Sequence, residues 1–436
     1  MRGVLLVGSG AREVAIARKI MGGSSSVRLY CISSVTNPQI ETLCHKYFEQ
    51  SPNNVGGILS VVKNLSIAIA IIGPENPLEA GLVDALEEVG ILCVGPRKSV
   101  AMIETSKAFA RSVLDECAPE KNPERKEFTS VVGVKSFLQK LGGGYVIKND
   151  GLMGGKGVKI SGEHLHSEDE AFAYAKEIIN NGGSFLIEEK LLGEEFSLMS
   201  FCDGNDCVHM PIVQDHKRAF VGDVGPNTGG MGTYSFENHS LPFLSDLDVS
   251  SAKKTNEAVA LQLYKKTGEK FRGVLYGGFM LTKKGVKVIE YNARFGDPEA
   301  MNVLSLLETD FMDICDAIVS ETLSKLKISF ANLSTVCKYV VPKGYPTHPT
   351  MGFEVGFDSS QENLYLGAVQ DVGGKIIATG SRTAATVGID KSIRVAEKLA
   401  EAGARSIKGN LFHREDVGTD ALINKRIEHM KSVCGD

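Results

Sequence analysis

From Val288 to Glu299 the chain reads Val-Ile-Glu-Tyr-Asn-Ala-Arg-Phe-Gly-Asp-Pro-Glu, an apolar strand with a functional group at every second position. Side chains alternate faces along a strand, so Glu290, Asn292 and, if the strand persists, Arg294 share one face. A carboxylate and an amide oxygen so placed suit a hard cation such as Mg²⁺, which takes one or two protein ligands and fills its octahedron with substrate phosphates and water. The adjacent arginine suits an anionic substrate. Taken alone, such a trio at a strand end is more often a solvated edge. Its weight depends on what the rest of the chain supplies.

The middle of the chain supplies a nucleotide site. Gly144 to Lys148 reads as a strand ending in lysine, and between Gly151 and Gly157 four of seven residues are glycine, with Lys156 between two of them. Such a segment is rich in N–H donors and free to close over phosphates, so it is expected to be mobile without nucleotide and ordered with it. It is not a P-loop, because the spacing differs and no Ser or Thr follows Lys156. Downstream, the strand Phe185 to Glu189 runs into the acidic stretch that ends at Glu195. After a lysine strand and a glycine flap, this fits an adenine hinge and a ribose acceptor.

These groups need a scaffold, and the first hundred residues describe one. Val4 to Val7 leads into Gly8-Ser-Gly-Ala-Arg-Glu13 and a helical pattern through Ile20; Val27 to Ile32 and Ala68 to Ile72 read as buried strands, and Leu82 to Val89 as a helix closed by Gly90. Such alternation predicts a parallel sheet with helices on both faces. The glycine loop is a weak dinucleotide fingerprint, since Glu13 stands at the third glycine and no acid follows the second strand. It remains a candidate phosphate loop at a helix N-terminus. Gly73-Pro74-Glu75 is a second strand-end loop, or simply a Gly-Pro turn.

With 436 residues, 43% hydrophobic and 23% charged, the chain is an ordinary soluble protein of roughly three domains. A net charge of -5 offers no bulk attraction to nucleic acid or anionic lipid. No apolar run approaches a signal peptide or the ~20 residues of a membrane span, so a cytoplasmic location is expected. The 9 cysteines include no Cys-x-x-Cys pair, so neither a disulfide framework nor a zinc ribbon is indicated. Cys202 and Cys207 flank a hairpin turn and read as structural.

The order of lysine strand, glycine flap, hinge and metal strand resembles the ATP-grasp superfamily. Gly73-Pro-Glu, Ser106-Lys-Ala-Phe, Lys148 to Gly157, Gln214-Asp-His-Lys-Arg, Gly225-Pro-Asn-Thr-Gly-Gly-Met-Gly and Arg294-Phe-Gly-Asp-Pro-Glu together resemble the phosphoribosylamine–glycine ligase (glycinamide ribonucleotide synthetase) family over nearly the whole chain. The segment Gln214 to Tyr234 is the most specific part. The resemblance implies α/β and α+β architecture: an N-terminal Rossmann-like substrate domain (1–103), a two-lobed ATP-grasp domain (104–326) with a flap-bearing subdomain at 121–190, and a small β-rich C-terminal domain (327–436).

It also implies roles. Lys107 and Lys148 would contact the ATP phosphates under a flap that includes Gly154, Gly155, Lys156 and Gly157. Glu188, Glu189 and Leu191 would meet adenine, partly through backbone, and Glu195 the ribose hydroxyls. Glu290 and Asn292 would hold Mg²⁺ or Mn²⁺; the preceding strand, Val274 to Thr282, has no acid to act as a third ligand. Lys148 and Arg294 would stabilise negative charge during catalysis. The floor for glycine and 5-phosphoribosylamine would comprise Gly10, Arg12, Glu13, Gly73, Pro74, Glu75, Asp215, Lys217, Arg218, Asn227, Thr228, Gly229, Gly230, Met231, Arg294, Asp297, Pro298 and Glu299. A monomer is expected, with a dimer as the alternative.

Three segments depart from the family pattern. Val14 replaces the histidine of the usual Gly-Arg-Glu-His loop, Ser33 to Gln39 stands for the usual Pro-Gly-Asn-x-Gly loop, and Ala300-Met301 replaces Thr-Gln. The first two lie where the ribose phosphate belongs, which leaves open a carboxylate–amine ligase with another amine. Past Leu323 the chain reads as strands and turns with a helix from Lys391 to Ala402, and Phe412 to Gly418 matches the family's terminal motif. Arg382 and His413 read as packing or surface residues as readily as ligands.

Overall fold

The computed structural model describes residues 1–152 and 157–435. Its first unit is a five-stranded parallel sheet in the order Lys46–Glu49, Val27–Ser33, Arg2–Val7, Ile67–Ile72, Leu92–Val94. The run Val4 to Val7 is buried throughout, as expected of a strand covered on both faces. Strand order reverses between Arg2–Val7 and Ile67–Ile72, and open α/β sheets bind ligands at the carboxyl ends beside such a reversal. Gly8–Glu13 and Gly73–Glu75 are the two loops there. The edge strand Lys46–Glu49 was not expected, because its Lys-Tyr-Phe-Glu carries only a short, partly exposed apolar pair.

Two antiparallel sheets follow. One joins Arg125–Phe128, Phe185–Glu189, Tyr145–Asn149 and Val158–Ile160, and has its own core around Phe128, Phe137, Ile147 and Phe185. The other joins Cys207–His209, Gly193–Asp203, Arg272–Thr282 and Gly285–Asn292, with the helix Asp246–Thr267 packed on it. The lysine strand and hinge lie on the first sheet, and the Glu290 strand on the second.

The third β layer crosses the expected boundary near residue 327. Its six strands include Gln214–Asp215 and Gly232–Ser235 beside Ser334–Pro342, Ala384–Asp390, Leu364–Leu366 and Leu411–His413. The segment from Gln214 to Tyr234 is therefore not an irregular loop: it contributes two strands to this sheet, and Arg218–Phe220 pairs with Val224–Asn227 as a small ribbon. The helices Leu82–Glu88 and Ile393–Ser406 occupy the expected regions. Among the described residues no helix is long and apolar enough to cross a membrane, and the 9 cysteines are free thiols.

Candidate active site

The strand Gly285–Asn292 reaches the cleft through an irregularity hidden in its sequence. Paired with Arg272–Thr282, it keeps register until Val288 stands opposite Phe279, then resumes with Glu290 opposite Gly278, leaving Ile289 as the extra residue of a β-bulge. Before the bulge the even-numbered Val286 and Val288 are buried, and unbroken alternation would bury Glu290 and Asn292 too. The bulge reverses the phase. Beyond it Tyr291, Ala293 and Phe295 are 2%, 1% and 5% exposed, while Glu290, Asn292 and Arg294 are half-buried on the opposite face. Two neutral or anionic oxygen donors, with no sulfur or imidazole beside them, make a donor set for a hard divalent cation.

The bulge also frees backbone oxygens. Ile289 O accepts hydrogen bonds from Lys148 Nζ (3.0 Å) and Arg111 Nη2 (2.7 Å), and Val288 O accepts from Arg111 Nη1 (2.9 Å). Glu188 bridges the same two cations: Arg111 Nε and Nη2 reach its two oxygens at 2.6 and 2.8 Å, and Lys148 Nζ lies 2.8 Å away. Burial opposes the Glu188 charge, but Arg111 and Lys148 hold the carboxyl down at about 2. Desolvation meanwhile lowers the Lys148 ammonium. The Glu188 side chain is thus engaged in holding Lys148, and its backbone lies in a strand paired on both sides; the Glu189 carboxylate accepts from Glu124 N at 2.9 Å. Leu191 is half-buried just beyond the strand end.

Lys107 begins the helix Lys107–Cys117, where Asp150 accepts from its backbone N at 2.6 Å and Lys107 Nζ donates to Gly151 O at 2.9 Å. The helix N-terminus, its lysine and the Asp150–Gly151 turn are therefore one unit. Gly157 returns into the sheet by accepting from Asn149 N at 2.8 Å. Gly154, Gly155 and Lys156 lie outside the described residues.

Opposite this wall the cleft is lined by Glu195, Asp215, Lys217 and Tyr276 as well as Glu290. Lys217 Nζ stands 3.5 Å from Asp215 and 3.6 Å from Glu290. Burial works against the Glu290 charge, yet Lys217, Lys148, Lys107 and Arg294 together hold its carboxyl below the ordinary range. Asp215 behaves oppositely: burial, aided by Glu299 and Glu195, raises its carboxyl despite Lys217. Arg294 is shared between Glu104 (2.8 Å) and Glu75 (3.3 Å). The two carboxylates respond differently to the shared guanidinium. Glu75, also near Arg12, is held at about 2 despite burial, while burial pushes Glu104 up to about 7 against the pull of Arg294.

Several expected substrate residues have their side chains engaged within the protein. The buried Glu13 carboxylate accepts from Gly10 N and Arg12 Nε, both at 2.6 Å, so it closes the helix start. Gly73 is packed against it: a methyl group there would come within 2.1 Å of Glu13 Oε1. The next residue, Pro74, stands immediately before the short helix Glu75–Glu79. Arg12 donates to Phe295 O at 3.0 Å, tying this loop to the Arg294 segment. Met231 is fully buried in a core cluster, its backbone N donating to His216 O at 2.8 Å and its O accepting from Tyr339 N at 2.9 Å. Glu299 is buried and accepts from the Tyr276 hydroxyl at 2.9 Å. Arg218 pairs with Glu163 of the flap-bearing lobe and donates to Gly225 O at 2.9 Å; Asn227 faces it across the ribbon. Arg111, Glu104 and Tyr276, absent from the sequence reading, hold functional groups in place; they lie in ordinary helix and strand contexts that carry no local signal. His413 lies 3.2 Å from Glu401, which also binds Lys338 at 2.7 Å, so it belongs to a packing network.

Comparison with known proteins matches three successive segments of the chain. Residues 2–104, 105–300 and 335–420 match the N, ATP-grasp (A) and C domains of phosphoribosylglycinamide synthetase. The chain belongs to the phosphoribosylglycinamide synthetase family. It is 46% identical over 433 residues to a phosphoribosylamine–glycine ligase of Methanosarcina barkeri, covering 99% of this chain and 100% of that one. With the Methanocaldococcus jannaschii protein of the same name it shares 43% over 442 residues, 99% of each chain. The crystal structure of phosphoribosylamine–glycine ligase from Thermotoga maritima superposes with a TM-score of 0.81 at 25% identity, over 95% of this chain and 99% of that one. The biotin carboxylase domain of a Hydrogenobacter thermophilus 2-oxoglutarate carboxylase shares the fold, with a TM-score of 0.69 at 15% identity over 99% of this chain and 94% of that one.

This synthetase-family protein is an ATP-grasp ligase. Where its family usually carries histidine, Val14 is fully buried in the N-terminal core. The altered loop after the second strand is tied down instead: Ser33 Oγ donates to Ser9 Oγ at 2.7 Å, and Asn37 Nδ2 to Ser9 O and Leu366 O, both at 2.8 Å. The Glu188 bridge carries its own prediction. Arg111→Ala leaves a buried carboxylate short of its bidentate partner, which should destabilise the fold by about 3–5 kcal/mol. Chemical unfolding measures this; a loss under about 1 kcal/mol would mean that Lys148 alone satisfies Glu188.

Proposed function

We propose that this protein joins glycine to 5-phosphoribosylamine with ATP, giving glycinamide ribonucleotide, ADP and phosphate in purine biosynthesis in the cytoplasm. The observation that supports it most is the bulged strand, on which Glu290, Asn292 and Arg294 face one cleft with Lys148, Lys107 and Lys217 around it, in a chain matched end to end by the ligase family. A carboxylate cannot expel oxide at neutral pH. Its oxygen must first attack the γ-phosphorus of ATP, releasing ADP and giving glycyl phosphate; the amine then attacks the acyl carbon and phosphate leaves. Both steps build negative charge, so catalysis is chiefly positioning and electrostatic stabilisation.

In this reading Lys107 and Lys148 bind the transferred phosphoryl group, and Glu188 keeps Lys148 aimed. Glu290 and Asn292 would hold Mg²⁺ or Mn²⁺, which when bound supplies charge neutralisation on the ATP phosphates. Glu195 takes the ribose hydroxyls. Arg294, already flanked by two carboxylates, takes the glycine carboxylate and then the acyl phosphate through its planar fork. Asp215 takes the glycine ammonium, and Gly10, Arg12 and Glu75 bound the pocket for the ribose phosphate.

ADP release, measured with glycine or the amine omitted in turn, tests the reading; full turnover should need both, and equal ADP release without glycine would reject it. The Asp215 assignment adds a pH dependence. Because burial raises this carboxyl above its ordinary 3.8, the anion forms only as pH rises through the elevated value. Stability from Asp215 is correspondingly present at low pH and lost over the same rise. The kcat/KM for glycine should therefore climb with pH, and Asp215→Asn should flatten that limb. A limb unchanged in the variant would remove Asp215 from the ammonium site.

A further inference from the structure

Arg382, in the turn before the strand Ala384–Asp390, lies far in sequence from every segment that carries the chemistry, yet its guanidinium reaches two of them. Nη1 donates to Gly229 O at 2.7 Å, to Gly230 O at 3.3 Å and to Asp297 O at 2.6 Å. Nη2 stands 3.0 Å from the Asp297 carboxylate. The guanidinium lies 4.6 Å over the Tyr339 ring, and the Tyr339 hydroxyl donates to the other Asp297 oxygen at 2.6 Å. Burial opposes the Arg382 charge, but Asp297 raises its hold on the proton.

What it grips is the back of the acceptor site. Gly230 has φ +118°, and a methyl group there would come within 2.7 Å of Pro298 Cδ and 2.8 Å of Asp215 Oδ1, so the Gly229–Gly230 turn is wedged directly behind Asp215. One residue earlier, Thr228 N and Oγ1 donate to Lys217 O at 2.7 and 2.8 Å. Moving the turn would move both Asp215 and Lys217. We propose that Arg382 is a positioning residue for the acceptor half of the site, through which the C-terminal region sets the geometry of Asp215, Lys217 and the Asp297–Pro298 corner. One nitrogen of the planar fork takes the carbonyls while the other takes the Asp297 carboxylate; the single nitrogen of a lysine cannot reproduce that two-point geometry.

The inference rests on the proposed ligation, so wild-type glycinamide ribonucleotide formation is established first by mass spectrometry; its absence refutes that reading, not the clasp. In the full-length enzyme, Arg382→Ala is expected to lower kcat/KM for glycine and for 5-phosphoribosylamine at least ~10-fold, the scale of one lost charged hydrogen bond, while the Kd for a non-hydrolysable ATP analogue changes less than about twofold. Arg382→Lys, the milder variant, should show the same split at smaller amplitude, which keeps the test decisive if the alanine variant does not fold. Unchanged acceptor constants in a folded variant would overturn the proposal, and so would an equal loss of ATP affinity, which a merely structural role would produce.

Discussion

Glu290→Gln is expected to fold as the parent does and to lose at least ~10²-fold in turnover, the scale of removing one charge stabiliser from a transition state. The substitution keeps the shape of a half-buried side chain beyond a bulge that exists to expose it. What changes is the charge that balances Lys217, 3.6 Å away, and Lys148 and Lys107 beyond it. With that anion gone, the cleft holds a surplus of positive charge and one oxygen ligand fewer. Turnover measured across a Mg²⁺ titration should show both a lower ceiling and a midpoint moved to higher Mg²⁺. Wild-type turnover with the wild-type Mg²⁺ midpoint would remove Glu290 from the metal site.

Arg294→Lys should separate the two halves of the site. The ammonium keeps the charge that Glu75 and Glu104 require, so the fold and the nucleotide wall are preserved. The planar fork is lost, and with it two-bond recognition of a carboxylate. A fall in kcat/KM for glycine of about 10- to 100-fold is expected, corresponding to one charged hydrogen bond, with ATP affinity within about twofold of the parent. Should ATP affinity collapse while glycine dependence is untouched, Arg294 belongs to the nucleotide half and the division of roles is wrong.

The sequence made the groups legible but not the device that presents them. Glu290, Asn292 and Arg294 were readable as one face because side chains alternate along a strand. That alternation, continued from Val286 and Val288, would have buried them, and only the unpaired Ile289 restores the phase. A bulge depends on register with a partner ten or more residues away, so a strand read alone cannot reveal it. The lysine strand and the parallel N-terminal sheet were legible because each is a local pattern. Glu13 and Met231 present the opposite case: they stand within the motifs, while their side chains are taken up by a helix start and a core. Arg111, Glu104 and Arg382 act across 77, 190 and 85 residues of sequence on Glu188, Arg294 and Asp297, and nothing local distinguishes such residues from any other ion pair.

The central claim is that glycine is activated as an acyl phosphate in the cleft above Glu290. Glycine carrying ¹⁸O in both carboxylate oxygens, turned over with ATP and 5-phosphoribosylamine, tests it most directly. One labelled oxygen should appear in the released phosphate and the other remain in the amide of glycinamide ribonucleotide, because the oxygen that attacks the γ-phosphorus leaves with it. Unlabelled phosphate, or label carried away on a nucleotide, would contradict it.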